Sequence, residues 1–487
     1  MDYSRGVVAR SFLWKLLERF SVQGLSLIIT FVLARILDPS DYGTVALIVV
    51  FTSLSSVVID GGLNTALIQK KDADNVDFST IFFSSLLLSI LIYVVLYLSA
   101  PAISEFYDNP ALTSVVRVLS IVIIFEAMNA VQRAYVAKYM LFKKLFYSTL
   151  SALVFSGAVG LYMAVNGYGV WALVCQQVCS NLVTTLVMFF TIRWLPTMTF
   201  SFTRFKELFN YGWKIFGINL MVVFYQDIRS LIIGKYYTPA SLAFFDRGRT
   251  LPQIIVSNIS TSLQAVIFPV FSDAQNEPQK VKEMVRKAVS LSCFSIFPTL
   301  VLLIVVAHPL ILLLLGEKWL PAVPFVWIFA VAYMVFFVQV SSMEAVKAMG
   351  YSGFSLKYEI VKHVLETVIL IVSVFWGVYA IAIGTIIYNT ISFILNIYPN
   401  LKFLHYGIRE QIADIMPTLL LSILAGVSVF WLQYLLLHPL LQILLQGICG
   451  GGIFLLLCQM FKLKGYLYVK EIAVEKLTQR HARSRKC

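Results

Sequence analysis

The chain alternates between long apolar runs and short polar breaks from its first helix to its last, and the stretch from Leu33 to Asp72 sets the plan. One apolar run arrives at Arg35-Ile36-Leu37. Asp38-Pro39-Ser40-Asp41 then turns the chain, because proline fixes φ and short polar side chains bond to their own backbone. A second apolar run returns from Tyr42 and closes on Gly61-Gly62, and the polar loop Lys70-Lys71-Asp72 follows. Runs of this length cross a bilayer as helices. They are continuous rather than alternating, which excludes a β-barrel. The pattern predicts fourteen helices, near residues 11–36, 41–64, 78–100, 111–136, 144–165, 168–192, 207–233, 240–268, 285–313, 320–345, 354–376, 378–400, 414–436 and 439–461. The fold class expected is an all-α polytopic membrane protein.

Composition agrees. Of 487 residues, 59% are hydrophobic and 13% charged, where soluble proteins carry about a quarter charged. In lipid, every backbone polar group must be satisfied within such helices. Met1 to Phe20 carries Asp2, Arg5, Arg10, Lys15, Glu18 and Arg19, which is unlike a cleavable signal, so the first helix itself is expected to direct insertion. Lys and Arg gather in every second loop, as at Lys70 and Lys71, Lys143 and Lys144, and Lys280 and Lys282. The opposite loops carry Lys235 and Lys318. This asymmetry predicts cytoplasmic termini. It also explains the net charge of +13 without nucleic acid. Cys175 and Cys179 share a helix face but lack His or carboxylate neighbours, so neither a metal site nor a disulfide framework is expected.

A weak repeat runs at an offset near 200 residues: Trp14-Lys15 matches Trp213-Lys214, and Arg35 to Ser40 matches Lys235 to Ala240. It predicts two pseudo-symmetric six-helix bundles, residues 1–195 and 196–405, related about the membrane normal. Residues 406–461 would form a lipid-facing accessory helix pair, and 462–487 a basic cytoplasmic tail. The connection from Arg193 to Lys206 leads into a Phe202-Phe205-Leu208-Phe209 stripe suited to the membrane interface.

The turn carries a resemblance. LAR-x-L-x-P-x-DYG, followed by D-x-G-L-x-x-ALIQ, resembles the first two helices of bacterial polysaccharide exporters of the multidrug/oligosaccharidyl-lipid/polysaccharide flippase superfamily. Ala240 to Pro252 (ASLAFFDRGRTLP) resembles their eighth helix, with Phe244-Phe245-Asp246 in place of the usual aromatic-Ser part. The resemblance implies a flippase for undecaprenyl-diphosphate-linked oligosaccharide repeat units in a bacterial inner membrane. Lipid-linked oligosaccharide and membrane lipid would be its partners, with a polysaccharide polymerase and chain-length proteins beside it. It implies no cofactor.

Charges within the apolar runs mark the candidate site, because each costs roughly 2.5–3.5 kcal/mol if it faces lipid at mid-bilayer. Residues 240–268 hold Asp246, Arg247 and Arg249. Asp246 and Arg249 are spaced to pair at i,i+3. Residues 111–136 hold Arg117, Glu126 and Arg133, with Glu126, Asn129 and Arg133 on one face. Residues 354–376 hold Lys362, His363 and Glu366, with Lys362 and Glu366 spaced to pair at i,i+4. One reading is a cationic cavity between the halves, where Arg247, Arg249, Arg117 and Arg133 grip a diphosphate in fork geometry. The other is salt bridges between helices and snorkelling near their ends. His363 is a proton switch or a packing histidine. By analogy with related transporters, a carboxylate among Asp246, Glu126 and Glu366 would couple transport to an ion gradient.

No Walker loop, H-E-x-x-H, G-x-S-x-G or metal spacing appears, so an enzyme is not expected. Two alternatives stay open. A drug or cation antiporter of the same superfamily would carry an acidic cavity. A membrane polymerase or glycosyltransferase would need a sizeable outer loop or a loop carboxylate, and the main outer-loop acids here are Glu105, Asp108 and Glu317.

Overall fold

A computed structural model describes residues 5–192, 194–273, 277–349, 351–435 and 438–471. Among these residues the regular structure is helical. The helices are α1 (Arg5–Ile36), α2 (Pro39–Asp60), α3 (Leu63–Gln69), α4 (Asn75–Phe106), α5 (Ala111–Leu119), α6 (Val122–Lys138), α7 (Phe142–Val165) and α8 (Val170–Ile192). They continue with α9 (Phe202–Tyr236), α10 (Pro239–Asp273), α11 (Pro278–Leu314), α12 (Val323–Ala348), α13 (Ser352–Val374), α14 (Val378–Leu404), α15 (Ile408–Phe430) and α16 (Pro439–Met460).

Each of the fourteen expected positions holds a helix, and two are broken. Gly61 and Gly62 adopt φ of +50° and +70°, which L side chains resist, and so split α3 from α2. Ser120 and Ile121 form a turn between α5 and α6. Among the described residues, twelve segments are long and apolar enough to cross a membrane, and α10 and α13 are not among them. Those two carry Asp246, Arg247 and Arg249, and Lys357, Glu359, Lys362 and Glu366. The protein is a multi-pass membrane protein.

The chain forms two compact units, Met1–Ala243 and Phe244–Cys487. In the first, α9 packs along α2 and α3. The approach is close enough that a Cβ on Gly62 would overlap the backbone of Gly212, and one on Gly234 would overlap Leu47. Small residues permit such backbone contact between membrane helices. The aromatic core of this unit centres on Trp194, which stacks on Tyr135 with centroids 5.7 Å apart and donates from Nε1 to Asn75 Oδ1 at 2.7 Å. That anchor fixes the start of the connection to α9.

Many of the basic loop residues of this unit hold the helix ends together. Asp74 caps α4, accepting from the Val76 and Asp77 amides at 3.0 Å, and Asp77 accepts from the Asp74 amide at 3.1 Å, a reciprocal capping box. The fully buried Asp77 also meets Lys70 at 3.2 Å and Arg204 at 3.3 Å. Lys138 donates to the Leu67 carbonyl at 3.1 Å, placing a cation at the negative end of α3.

In the second unit α12, α15 and α16 pack on α11, while α14 packs on α12 and α13. The expected accessory pair is therefore docked on one side. Ala425, Phe454, Cys458 and Leu463 bury a shared cluster with Phe294 of α11, while Leu424 and Leu445 stay exposed. The basic tail expected over 462–487 is described only to residue 471. Arg193, at the start of the expected connection, lies outside the described residues.

Candidate functional site

Three helices of the first unit enclose a cavity of about 390 Å³. Its polar walls are Ser56 and Asp60 of α2, Glu126 and Arg133 of α6, and Asn219 of α9. Helical spacing explains the set. Ser56 and Asp60 are one turn apart, and Glu126, Ala130 and Arg133 follow at i, i+4 and i+7 on one face. Ala127 and Ala130 leave the space that larger residues would fill.

Each of the two carboxylates has a side-chain partner. Ser56 lies in hydrogen-bond contact with Glu126, and the Asn64 amide donates to Asp60. Arg133 differs. No acceptor or ion-pair partner among the described residues lies against its guanidinium. Glu126 and Asp60 act on it only through their charge. It is solvent-accessible although protein atoms surround it, because what it meets is the cavity. Five N–H donors are thus uncommitted among the described residues. An uncommitted guanidinium beside two carboxylates can bind an anion, or can trade partners as those acids change protonation.

The other expected residues fall elsewhere. Asn129 shares the helical spacing of Glu126 and Arg133, yet it is fully buried and donates to the Asn181 carbonyl of α8 at 3.4 Å. Arg117 is not in the cavity wall: its Nε donates to the Tyr97 carbonyl at 3.3 Å, and its guanidinium carbon lies 4.6 Å from the Tyr97 ring centroid. In the second unit Asp246 and Arg249 pair at 3.2 Å, as their spacing suggested. Arg247 is partly buried and makes an interaction of its own.

The pairing of Lys362 with Glu366 is corrected. Lys362 turns back to Glu359 at 2.6 Å, and Glu366 meets His363 Nδ1 at 3.1 Å. The i,i+3 neighbour on each side is nearer than the i,i+4 one. His363 is therefore hydrogen-bonded to a buried acid.

Reading the sequence by charge alone left out the uncharged Ser56 and Asn219. The available signal was Asp60 directly before Gly61-Gly62, where a helix must end. Among the described residues no group of three or more His, Cys, Asp or Glu is placed to hold a metal.

Comparison with known proteins gives a context for this geometry. A family profile described as "Polysaccharide biosynthesis protein" matches residues 32–324. The teichuronic acid biosynthesis protein TuaB of Bacillus subtilis (strain 168) is 26% identical over 287 residues, which is 58% of this chain and 58% of that protein. The succinoglycan biosynthesis transport protein ExoT of Rhizobium meliloti (strain 1021) is 20% identical over 426 residues, 86% of each chain. Among solved structures, the lipid II flippase MurJ in an inward closed conformation superposes with a TM-score of 0.74 at 14% identity, covering 92% of this chain and 98% of that one. At that identity the likeness is one of fold.

Proposed function

Because the chain belongs to the polysaccharide biosynthesis protein family, we propose that it is a flippase that moves lipid-linked oligosaccharide repeat units across a bacterial inner membrane. It supports the assembly of a cell-surface polysaccharide, with both termini in the cytoplasm, where the Lys-rich and Arg-rich loops lie. The names of its relatives, for teichuronic acid biosynthesis and succinoglycan transport, support this reading, and so does a fold shared with a lipid II flippase. A polymerase and chain-length proteins would take the product on the far side.

The cycle is alternating access. Two helical bundles open inward, admit a diphosphate-sugar headgroup, then rock outward while the isoprenoid chain stays at the apolar exterior of the bundle. Arg133 carries the proposal: it is a cation within an apolar bundle, open to a cavity and uncommitted to any described side chain. Arg matches phosphate oxygens in fork geometry. Before substrate enters, Glu126 and Asp60 balance its charge. A diphosphate at Arg133 would repel both acids, and a proton taken up by Glu126 would relieve that repulsion. This links substrate entry to a proton. Arg247 and Arg249 contribute further phosphate contacts, and Asp246 and Glu366 are the second-unit carboxylates available for ion coupling.

The test is translocation of a defined undecaprenyl-diphosphate-linked sugar in proteoliposomes. Arg133→Ala is expected to lower the rate by at least about tenfold, with Arg133→Lys intermediate, since Lys keeps the charge and loses the fork. Normal transport by Arg133→Ala at equal protein level would end the phosphate role. One observation favours a second reading. The cavity holds two carboxylates against one guanidinium, a balance that suits a cationic substrate of a drug antiporter. Proton-driven uptake of an organic cation by the same proteoliposomes, with no sugar-lipid movement, would establish it.

A further inference from the structure

The first unit holds a second cavity, of about 550 Å³, whose wall is apolar. Its sides are Leu87, Leu88 and Leu91 of α4 and the phenylalanines at the start of α9. Phe205 stacks on Phe202 at 6.3 Å and 28°, and on Phe209 at 5.8 Å and 17°, so three rings form a ladder along one wall. The two serines in the wall are turned to backbone: Ser84 donates to the Thr80 carbonyl at 2.7 Å, and Ser85 to that of Ile59 at 3.5 Å. The slot is open on one side, with Phe202 70% and Leu87 62% exposed.

Its neighbours identify its occupant. Ile59 lines both this slot and the polar cavity of Glu126 and Arg133, and it packs with Ile123 and Ala127 between the two. Phe209 also borders a recess lined by Thr203, Lys206, Glu207, Asn210 and Trp213. An apolar slot bordered by two polar recesses is shaped for a molecule whose headgroup and chain are recognised together.

We propose that this slot, between α4 and the Phe202-Phe205-Phe209 ladder, binds the isoprenoid chain of the lipid-linked substrate during flipping. The assignment rests on the flippase reading, and it makes the first unit a receptor for lipid as well as headgroup. The chain lies against the rings while the diphosphate moves between the Lys206 recess and the Arg133 cavity.

The experiment uses the full-length protein in proteoliposomes with an undecaprenyl-diphosphate-linked sugar bearing a diazirine in its isoprenoid chain. Illumination is expected to label the peptides containing Leu87–Leu91 and Phe200–Phe209, and unlabelled sugar-lipid should compete where excess phosphatidylcholine does not. Phe202→Ser with Phe209→Ser, both at exposed rings, should raise KM for the undecaprenyl substrate about tenfold. It should leave that for a two-isoprene analogue unchanged, a split that general damage would not give. Label elsewhere on a protein that transports normally overturns the proposal, as does label that phosphatidylcholine displaces equally well. Specific label in the slot of a protein that moves no sugar-lipid would uphold the site and refute the flippase reading.

Discussion

Arg286 of α11 holds Asp414 of α15 in a fork, with Nε 2.7 Å from Oδ2 and Nη2 3.0 Å from Oδ1. The Asp414 side chain is 1% exposed and also accepts from Lys464 at 2.9 Å and from the Tyr406 hydroxyl at 3.1 Å. One carboxylate thus ties together α11, α15, the turn before α15 and the segment after α16. Asp414→Ala would leave Arg286 with Glu410 at 3.2 Å and Lys464 58% exposed, so its cost should fall below the roughly 3–5 kcal/mol of breaking a fully buried pair. Asp414→Ala is therefore expected to lower the unfolding temperature in detergent, and Arg286→Met in the same chain to recover part of the loss. A melting curve for Asp414→Ala that overlays the parent would show that the fork adds nothing.

The contact between Gly62 and Gly212 gives a second test, with an internal control. The two backbones meet where α9 passes α3, and a side chain on either would overlap the other. Gly217 lies on the same helix with nothing within 4 Å of where its Cβ would stand. Gly212→Val is expected to destabilise the first unit by about 1–3 kcal/mol or more, the usual cost of overpacking. Gly217→Val should change stability by only a few tenths, in keeping with an open site. Equal losses in the two variants would mean that helix propensity, not the close approach, sets the cost.

These two contacts also show where the sequence stops being legible. The apolar runs placed the membrane-crossing helices because burial in lipid requires continuous hydrophobicity, a signal carried by every residue of a run. Asp246 and Arg249 pair as predicted because i,i+3 contacts depend on local geometry alone. Glu126 and Arg133 share a wall for the same reason. The rest depends on partners far along the chain. Nothing near Arg117 in the sequence points to the Tyr97 carbonyl twenty residues earlier. Asn129 has the right spacing for the cavity, but a neighbouring helix claims it. The apolar slot is formed by α4 and α9, segments more than a hundred residues apart, and a row of phenylalanines in a membrane protein reads as ordinary lipid contact until both walls are seen.

Asp74 offers a prediction in pH. The Arg204 guanidinium against it, with the backbone amides of its cap, holds its carboxyl at about 2, below the ordinary 3.8. A depressed carboxylate contributes stability that is complete above its unfolded value and is lost as the folded value is reached. The contribution should be full above 3.8 and fade as the pH falls toward about 2. Asp74 is 48% exposed, so screening keeps the effect small. Asn caps a helix about as well as Asp, so Asp74→Asn removes mainly the charge. The gap in melting temperature between parent and Asp74→Asn should close on acidification through this window. A gap that widened instead would reverse the sign of the argument.

Arg117 and Arg133 separate the two readings of charges buried in this membrane protein. Arg117 is bound to the carbonyl and ring of Tyr97 and lies outside the polar cavity wall, as a cation neutralised by local structure would be. A cation–π contact of this kind contributes about 0.5–1 kcal/mol at a partly exposed site. Arg117→Gln is therefore expected to lower stability slightly and to leave translocation of lipid-linked sugar near the parent rate. Arg133 lacks such a partner among the described residues and borders the cavity with Glu126 and Asp60. Arg133→Gln should keep the melting temperature and lose transport. If Arg117→Gln abolished transport while Arg133→Gln did not, the substrate would have to contact the Tyr97 end of α5, and the cavity under Arg133 would be a structural void.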